Sequence, residues 1–392
     1  MVVKRYHIDV RVETAVHVWS GENYVKDLDL IVRNGKAYIL DYNLLVEKLV
    51  AKNIDIAKIT DEMLRSPQTL LDKYDIRLED ISSYILNVPK ELNVSRDIKK
   101  QITIGNAKAI PGSEIKGLFR TAYLHYYLKY KARQDLVKAI RDSIEMIMEN
   151  CKVNVKKAGY SIEAVLKGYI STGRKGGERP YDVFQCIQVT DPIDLNTKCY
   201  LENIVVYDRA SGNVVANQTI EALAKNSRLR YILGIYEKPG TKLIQTTVYN
   251  IRDLDSKIDE VHKSLFDALK YFSKDVIQYE IKLLSESKFG EYDVSKQINL
   301  MKKWLGEVDK GEAYYLKIGF ATGHYAKTIY LALPDDLKRY LINIMSYCVK
   351  LVSHGRISEW DHKTLKLLGS LYVNKKVVPF GWIKLRVERV GD

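Results

Sequence analysis

The chain opens with a strict alternation of polar and apolar residues, which is the period of a half-buried strand. The apolar positions of this first strand, at 5–13, are Tyr6, Ile8, Val10 and Val12. A hairpin is predicted next at 28–40, where Asn34-Gly35 separates two apolar runs. Asn-Gly is favoured in such a two-residue turn because both positions need a positive φ.

Further along the chain, helical and strand-like periods alternate. Helices are predicted at 41–86 with a break at Ser66-Pro67, and at 113–126, 135–149, 257–284, 295–305 and 337–352. Strands are predicted at 93–104, 183–189, 201–207, 243–251, 313–318 and 382–390, and a basic, glycine-rich loop is predicted at 171–182. Strands interleaved with helices and hairpins are typical of the α+β class.

Two ferredoxin-like halves with helical insertions fit this mixture of elements. A length of 392 residues fits two domains. We expect the first domain at 1–208, with a helical insertion at 41–92. We expect the second at 209–392, with a helical insertion at 254–308 and a second glycine-rich loop at 319–323.

The net charge of +13 is concentrated in one segment of the chain. Residues 99–179 contain 17 Lys and Arg against 7 Asp and Glu, and the remainder of the chain is close to neutral. A local excess of this size is typical of proteins that bind a polyanion. The alternative is a surface of mixed ion pairs. That alternative fits the rest of the chain but not this segment, so nucleic acid is the predicted partner.

Other features of the composition exclude several classes of protein. No apolar run approaches the roughly 20 residues that a membrane-spanning helix needs, and the first residues lack the apolar stretch of a signal peptide. No CxxC pair that would predict a disulfide framework or a zinc site occurs among Cys151, Cys186, Cys199 and Cys348. We therefore expect a cytoplasmic protein with no cofactor, no bound metal and no contact with a membrane.

The strongest local motif is the segment IPGSEIKGLFRTA at 110–122. Ser113 is a suitable N-cap for the helix that follows, and a helix N-terminus with free N–H groups binds phosphate well. Lys116 and Arg120 lie one helical turn apart on the face away from the apolar residues. Gly117 between them permits the close approach of another backbone. The alternative is a capped amphipathic helix with solvated charges.

This segment resembles the signature helix of the RAMP superfamily of CRISPR proteins, whose pattern is IPGSSLKGxxR. Glu114 stands where the family has a second Ser. Three further segments resemble family motifs in the same order: TAVHVWSG at 14–21, LKIGFATG at 316–323 with Lys327-Thr328 after it, and GWIKL at 381–385. The first of them departs from the family pattern at Ala15 and Trp19, where the family has Pro and Gly.

The resemblance implies RNA-recognition-motif-like folds, a CRISPR guide RNA as partner, and neighbouring Csm or other RAMP subunits. The chain length and the Gly381-Trp382 pair favour the subunit that caps the backbone filament of the type III-A (Csm) effector complex, which acts in antiviral defence. Target RNA would be contacted only indirectly, because pairing with the guide reads its sequence. Two alternatives remain open: the RAMP endoribonuclease that cuts the precursor transcript, and a backbone subunit of a related type III complex.

The positions predicted to bind RNA come from the motifs and from the basic loop. Gly319 and Gly323 would let backbone amides approach the RNA, and Tyr325 would offer an aromatic face. A simple turn and a disordered surface loop are the structural alternatives for these two loops. The complete predicted set is His17, Lys108, Gly112, Ser113, Lys116, Arg120, Arg174, Lys175, Arg179, Gly319, Gly323, His324, Tyr325 and Lys327.

No catalytic centre is predicted. The seven histidines are dispersed, Asp361-His362 has no second cluster to support a metal site, and Asp335-Asp336 fits the start of a helix. His17 is the one candidate general base, since related RAMP endonucleases use an amino-terminal histidine. It occupies a motif position that family members without cleavage activity share, so we expect a structural or RNA-contacting role for it.

Overall fold

The computed structural model describes residues 3–131, 138, 141, 167–171, 178–209, 211–236, 251–290, 292–352 and 364–390. The helix predicted at 135–149 and the strand predicted at 243–251 fall almost entirely outside these residues. The end of the loop predicted at 171–182 is a strand instead, because Glu178–Asp182 pairs with Lys167–Ser171. None of the described helices is long and apolar enough to cross a membrane.

The described residues form many short strands and a few long ones. In chain order they are β1 (Val3–Val12), β2 (Trp19–Val25), β3 (Leu30–Arg33), β4 (Lys36–Leu40), β5 (Ser82–Asn87), β6 (Asp97–Gln101), β7 (Thr103–Ile104), β8 (Ala107–Lys108), β9 (Lys167–Ser171), β10 (Glu178–Asp182), β11 (Ile187–Val189), β12 (Asp194–Asn196), β13 (Cys199–Asp208), β14 (Val214–Leu223), β15 (Arg228–Tyr236), β16 (Tyr314–Lys317), β17 (Thr364–Leu368) and β18 (Trp382–Arg389).

Helices separate these strands at several points. The α-helices that the structure describes are α1 (Tyr42–Ala51), α2 (Ile56–Arg65), α3 (Pro67–Lys73), α4 (Gly112–Tyr126), α5 (Ile251–Ser285), α6 (Ser295–Asp309), α7 (Asp335–Val352) and α8 (Gly369–Val373). Short 3₁₀ turns lie at Leu78–Ile81, Val183–Cys186, His324–Ala326 and Ile329–Ala332, and α4 continues into a π-helical turn at Tyr127–Lys131.

The first large sheet joins strands that are distant in the sequence. Its order is β11-β15-β1-β18-β16, with β12 also beside β15, and all neighbouring strands are antiparallel. In β1 the apolar positions Ile8, Val10 and Val12 are buried, as the alternation predicts. They belong to the same core as residues of α4 and α5, which pack on each other. β1, α4, β11, β15, α5 and β18 therefore form a ferredoxin-like βαββαβ unit.

The second large sheet has the order β2-β6-β14-β13-β5-β4-β3, with β17 also beside β13. Its β3–β4 hairpin confirms the predicted turn, since Asn34 and Gly35 have φ values of 52° and 71°. β5 replaces the end of the helix predicted at 41–86, because pairing with β4 on this sheet overrides the local helical pattern. The helices α1 to α3 pack with residues of β3 and β4 in a separate small core.

The α+β class is confirmed, with an RNA-recognition-motif-like unit and helical insertions. The sheets do not follow the predicted boundary between residues 208 and 209. β1 and β15, on either side of it, are neighbours in the first sheet, and β13 and β14 are neighbours in the second. Periodicity reports which face of a strand is buried, but it does not report which strand lies beside it.

Candidate nucleic-acid interface

Three of the sequence motifs meet at one place in the structure. The N–H of Gly381 donates to the carbonyl oxygen of Ala15 at 2.9 Å, and the N–H of Ile318 donates to that of Gly381 at 2.9 Å. The N–H of Phe320 donates to the carbonyl oxygen of His17 at 2.6 Å. The motif segments at 14–21, 316–323 and 381–385 thus form one backbone junction.

Gly319 is needed at this junction for a close approach within the protein. It has a φ of 86°, and a Cβ there would lie 2.2 Å from the carbonyl oxygen of His17. Any other residue would combine a left-handed backbone with a steric clash. The contact explains the glycine without RNA, and an additional contact of this loop with RNA stays a prediction.

His17 lies wholly inside the protein, which corrects its place among the predicted RNA-binding residues. Its side chain has 0% exposure. Nδ1 lies 2.7 Å from the carbonyl oxygen of Glu221, an acceptor, so Nδ1 carries the proton and donates. Burial, together with nearby Lys99 and Lys108, lowers the pKa of His17 to about 4. The imidazole is therefore neutral near pH 7, and it supports the second sheet without reaching the surface.

Lys108 is also turned inward, against the prediction that it binds RNA. Its Nζ donates to Oε2 of Glu221 at 3.0 Å and to the carbonyl oxygen of Gln101 at 3.1 Å. The backbone N–H of Gln101 donates to the same Glu221 oxygen at 3.0 Å. Glu221 is fully buried, so this cation is needed to neutralise it. We call His17, Gln101, Lys108 and Glu221 the buried polar cluster.

Tyr325 was predicted to offer an aromatic face to RNA, and this prediction is wrong. The side chain is 5% exposed, and its hydroxyl donates to the carboxylate of Glu280. Burial raises the pKa of Tyr325 well above its usual value, so the proton stays on the hydroxyl. Lys317 completes the group with its Nζ 3.1 Å from Glu280 Oε1. Tyr325 is thus a core residue that anchors the glycine loop to α5.

The start of α4 differs from the prediction in its capping. The helix begins at Gly112 with Pro111 as N-cap, so Ser113 is not the cap. The N–H of Gly112 donates to Oδ1 of Asp191 at 2.9 Å, and a Cβ at Gly112 would lie 2.1 Å from the carbonyl oxygen of Thr190. A carboxylate of the protein therefore already occupies the positive end of the helix, where a phosphate was expected.

The structure does bring part of the predicted set together. Ser113, Gly319 and Lys327 line one depression of about 280 Å³, together with Gly117 of α4, which is not in the predicted set. Lys327 is exposed there. The apolar face of α4 is buried as predicted. Lys116 and Arg120 are half-exposed, and whether either binds RNA stays a prediction.

The structure describes only some of the other residues that were predicted to bind RNA. Gly323 has a φ of 84°, and a Cβ there would lie 2.7 Å from the Tyr325 ring. His324 packs edge-on against Tyr330, with ring centroids 5.1 Å apart. Arg174 and Lys175 lie outside the described residues, and Arg179 belongs to β10. Contacts of these positions with RNA stay predictions.

The sequence did not reveal one group of surface side chains beside the junction. Lys99 Nζ lies 3.9 Å from the ring centroid of Trp19 and 5.1 Å from that of Phe320. We call Trp19, Lys99 and Phe320 the aromatic platform. The sequence shows Trp19 only as a departure from the family motif. No set of His, Cys, Asp or Glu in the described residues is arranged to hold a metal ion.

Comparisons with known proteins agree with the motifs. No protein-family model matches the sequence. The CRISPR system Cms protein Csm5 of Methanocaldococcus jannaschii is 26% identical over 405 residues, spanning 95% of this chain and 86% of that protein. The fold is similar to a chain of the Csm–crRNA–target RNA ternary complex of a type III-A CRISPR-Cas system, with a TM-score of 0.68, 18% identity and coverage of 98% of this chain and 100% of that one. It is also similar to T. onnurineus Csm5, with a TM-score of 0.62, 18% identity and coverage of 96% and 99%.

Proposed function

We propose that this chain, a Csm5-like protein of the RAMP superfamily, is the guide-RNA-binding subunit that caps the backbone filament of a type III-A CRISPR effector complex. The observation that carries the proposal is the nearly end-to-end similarity to a protein named Csm5. The shared fold with a chain from an assembled Csm–crRNA–target RNA complex supports it. The role of such a complex is antiviral defence.

In this proposal the subunit holds the guide by its sugar-phosphate backbone. Lys327 lines the depression between α4 and the glycine loop, and Lys116 lines an adjacent one of about 530 Å³ that shares Ser113. Two cations on either side of the helix start suit the phosphates of a single strand. Guide–target pairing reads the target sequence, so target RNA is contacted indirectly and the other Csm subunits are the protein partners.

We also propose that the subunit does not cleave RNA. A general base must lie within hydrogen-bond reach of the proton that it removes, and its pKa should lie near the working pH. His17 meets neither condition, because it is fully buried and its pKa is lowered to about 4. The endoribonuclease alternative therefore has no support from the one histidine that suggested it.

A binding and cleavage assay on the purified chain tests both parts. We expect guide RNA to be bound, and precursor and target RNA to stay intact with and without divalent metal ions. The His17→Ala variant is assayed in parallel because contaminating nucleases are the main source of error. Specific cleavage by the native chain that disappears in this variant would replace the proposal with the endoribonuclease.

The position in the filament needs a second experiment. The complex is assembled from its other subunits and guide RNA with and without this chain, and both preparations are imaged. We expect one copy of the chain at an end of the filament. Copies repeated along the filament would assign the chain to the backbone instead.

A further inference from the structure

The aromatic platform is held rigidly at the protein surface. Trp19 begins β2, an edge strand whose register against β6 shifts between Trp19 and Asn23. Such bulges re-aim side chains and are frequent beside functional sites. The indole Nε1 of Trp19 donates to the carbonyl oxygen of Glu22 at 2.8 Å, and Gly21 between them has a φ of 94°. The bulge therefore fixes the indole ring in place.

The second ring of the platform is fixed by the backbone junction. The N–H of Phe320 is bonded to His17, and the Phe320 ring meets the His17 ring edge-on at 5.8 Å between centroids. His17 lies behind Phe320 in the interior, and Lys99 lies in front of it. Gly319 packs closely against His17, and this contact sets the position of the next side chain, the Phe320 ring, at the surface.

None of the hydrophobic core clusters described for the structure includes Trp19. It is 43% exposed, whereas Trp304 and Trp382, the other tryptophans that the structure describes, are 3% and 0% exposed. Large exposed aromatic rings are unusual on a surface and are enriched where partners bind. The cation above the ring argues against an apolar partner, which would have to desolvate Lys99. In the part of the chain that the structure describes, no carboxylate pairs with Lys99.

The energies of the two kinds of contact show what can replace the Lys99 ammonium group on the Trp19 and Phe320 rings. A cation–π contact at an exposed site contributes about 0.5–1 kcal/mol. Stacking of a nucleic-acid base on an aromatic side chain contributes about 1–3 kcal/mol. A base therefore displaces the ammonium group from a ring, and the released Lys99 can pair with a phosphate.

We propose that the aromatic platform stacks an unpaired base of single-stranded RNA on Trp19 and Phe320, while Lys99 neutralises a phosphate of the same segment. The proposal rests on the RNA-binding function above and adds base contacts to a backbone grip. Stacking uses the face of a base, so the platform accepts bases of any identity.

The test compares two oligonucleotide probes on the full chain. One is an oligouridylate and the other is an abasic ribose-phosphate strand of equal length, which carries the same charge without bases. We expect the native chain to bind the oligouridylate about 5- to 100-fold more tightly, with quenching of tryptophan fluorescence. Trp19→Ala should lose most of this discrimination, and Phe320→Ala should lose part of it.

Three further variants separate stacking from other effects. Trp19→Phe keeps a stacking face, so it should keep the discrimination and lose the quenching. Lys99→Met should keep the discrimination and reduce the salt slope of log affinity by about 0.7. Tyr271→Ala, which removes another exposed aromatic residue from α5, should match the native chain. Circular dichroism checks that each variant is folded.

The possible failures have different causes. If the native chain binds neither probe, the proposed function fails and this inference fails with it. If the native chain binds RNA and folded Trp19→Ala binds both probes as the native chain does, only this inference is overturned. If Trp19→Ala keeps normal RNA binding but no longer joins the assembled complex, the platform is a protein-docking surface and the inference is likewise overturned.

Discussion

The buried polar cluster and the aromatic platform share two segments of the chain and differ in their exposure to solvent. Gln101 of the cluster and Lys99 of the platform are both on β6, and His17 and Trp19 are two residues apart. His17 and Gln101 have no exposure, whereas Trp19 is 43% exposed. His17, the motif residue that suggested an RNA contact, is interior, whereas the more exposed rings belong to Trp19 and Phe320, which are other positions of the same motifs. A motif can therefore mark a position where backbones meet as well as a position where a ligand binds.

Removing the cation of the buried cluster should give the largest effect on stability. Lys108→Met leaves the carboxylate of Glu221 buried without its partner, and we expect the free energy of unfolding to fall by about 3–5 kcal/mol. The matched control is Lys100→Met, whose partner Glu22 is 2.8 Å away with side chains 32% and 68% exposed. That variant should lose about 0–1 kcal/mol. Equal losses in urea unfolding would remove the distinction between the two regions.

Closing the space at the junction should have the next largest effect. In Gly319→Ala the new Cβ would meet the carbonyl oxygen of His17 at 2.2 Å, and we expect a loss of about 3 kcal/mol from clash and backbone strain. Gly290→Ala is the control, because Gly290 also has a positive φ, 57°, with nothing near its Cβ. It should lose about 1 kcal/mol. Similar losses in thermal or urea unfolding would mean that the approach to His17 is unimportant.

Acid should destabilise the protein through His17. The pKa of His17 is about 4 in the folded protein, below its value of about 6.5 in an unfolded chain. As the pH falls below about 6.5, only the unfolded chain gains this proton, so the free energy of unfolding decreases until the folded histidine titrates near pH 4. Between pH 7.5 and 5 we expect a loss of about 2 kcal/mol from this residue.

The His17→Gln variant isolates that contribution in urea unfolding at the two pH values. His125 is also buried with a lowered pKa, so part of the acid sensitivity remains in the variant. The native chain should lose more stability than the variant does. An identical pH dependence would show that the buried cluster tolerates a charged imidazole.

A surface lysine of the signature helix should give the smallest effect. Lys116→Ala should leave the stability nearly unchanged and reduce the salt slope of log affinity for single-stranded RNA by about 0.7 if one phosphate contact is lost. Lys302→Ala, an exposed lysine of α6, serves as the control. Fluorescence anisotropy over a range of salt concentrations measures both slopes. If Lys116→Ala and Lys302→Ala give the same slope, Lys116 is a solvated surface residue and does not contact a phosphate.

Local signals predicted most of the secondary structure, because they depend on neighbours in the sequence. The Asn34-Gly35 turn and the buried face of α4 are examples. The interior of the candidate site depends instead on strand pairing. Lys108 lies on β8, soon after β6, and Glu221 lies on β14, which pairs with β6; the two residues are 113 apart in the sequence, and their side chains meet at 3.0 Å. No pattern within either segment reports that pairing, so the burial of Lys108 could not be predicted.

The glycine motif shows a second limit of sequence reasoning. The resemblance marked Gly319 correctly as an unusual position, since it has a positive φ. The reason lies in the carbonyl group of His17, at the other end of the chain, and a resemblance does not name the contact behind a motif. Trp19 was visible as a departure from the family pattern, but its exposure depends on the bulge at the edge of the second sheet.

The central position of β1 has a consequence for biosynthesis. β1 pairs along its length with β15 and with β18, so it acquires one of its two neighbours from residues near 385, much later in the sequence. At a synthesis rate of about 5–20 residues per second, that neighbour arrives roughly 20–80 s after β1. During this interval one hydrogen-bonding edge of an apolar strand stays open to intermolecular pairing. We expect a nascent chain with this topology to expose this edge of β1 until β18 pairs with it.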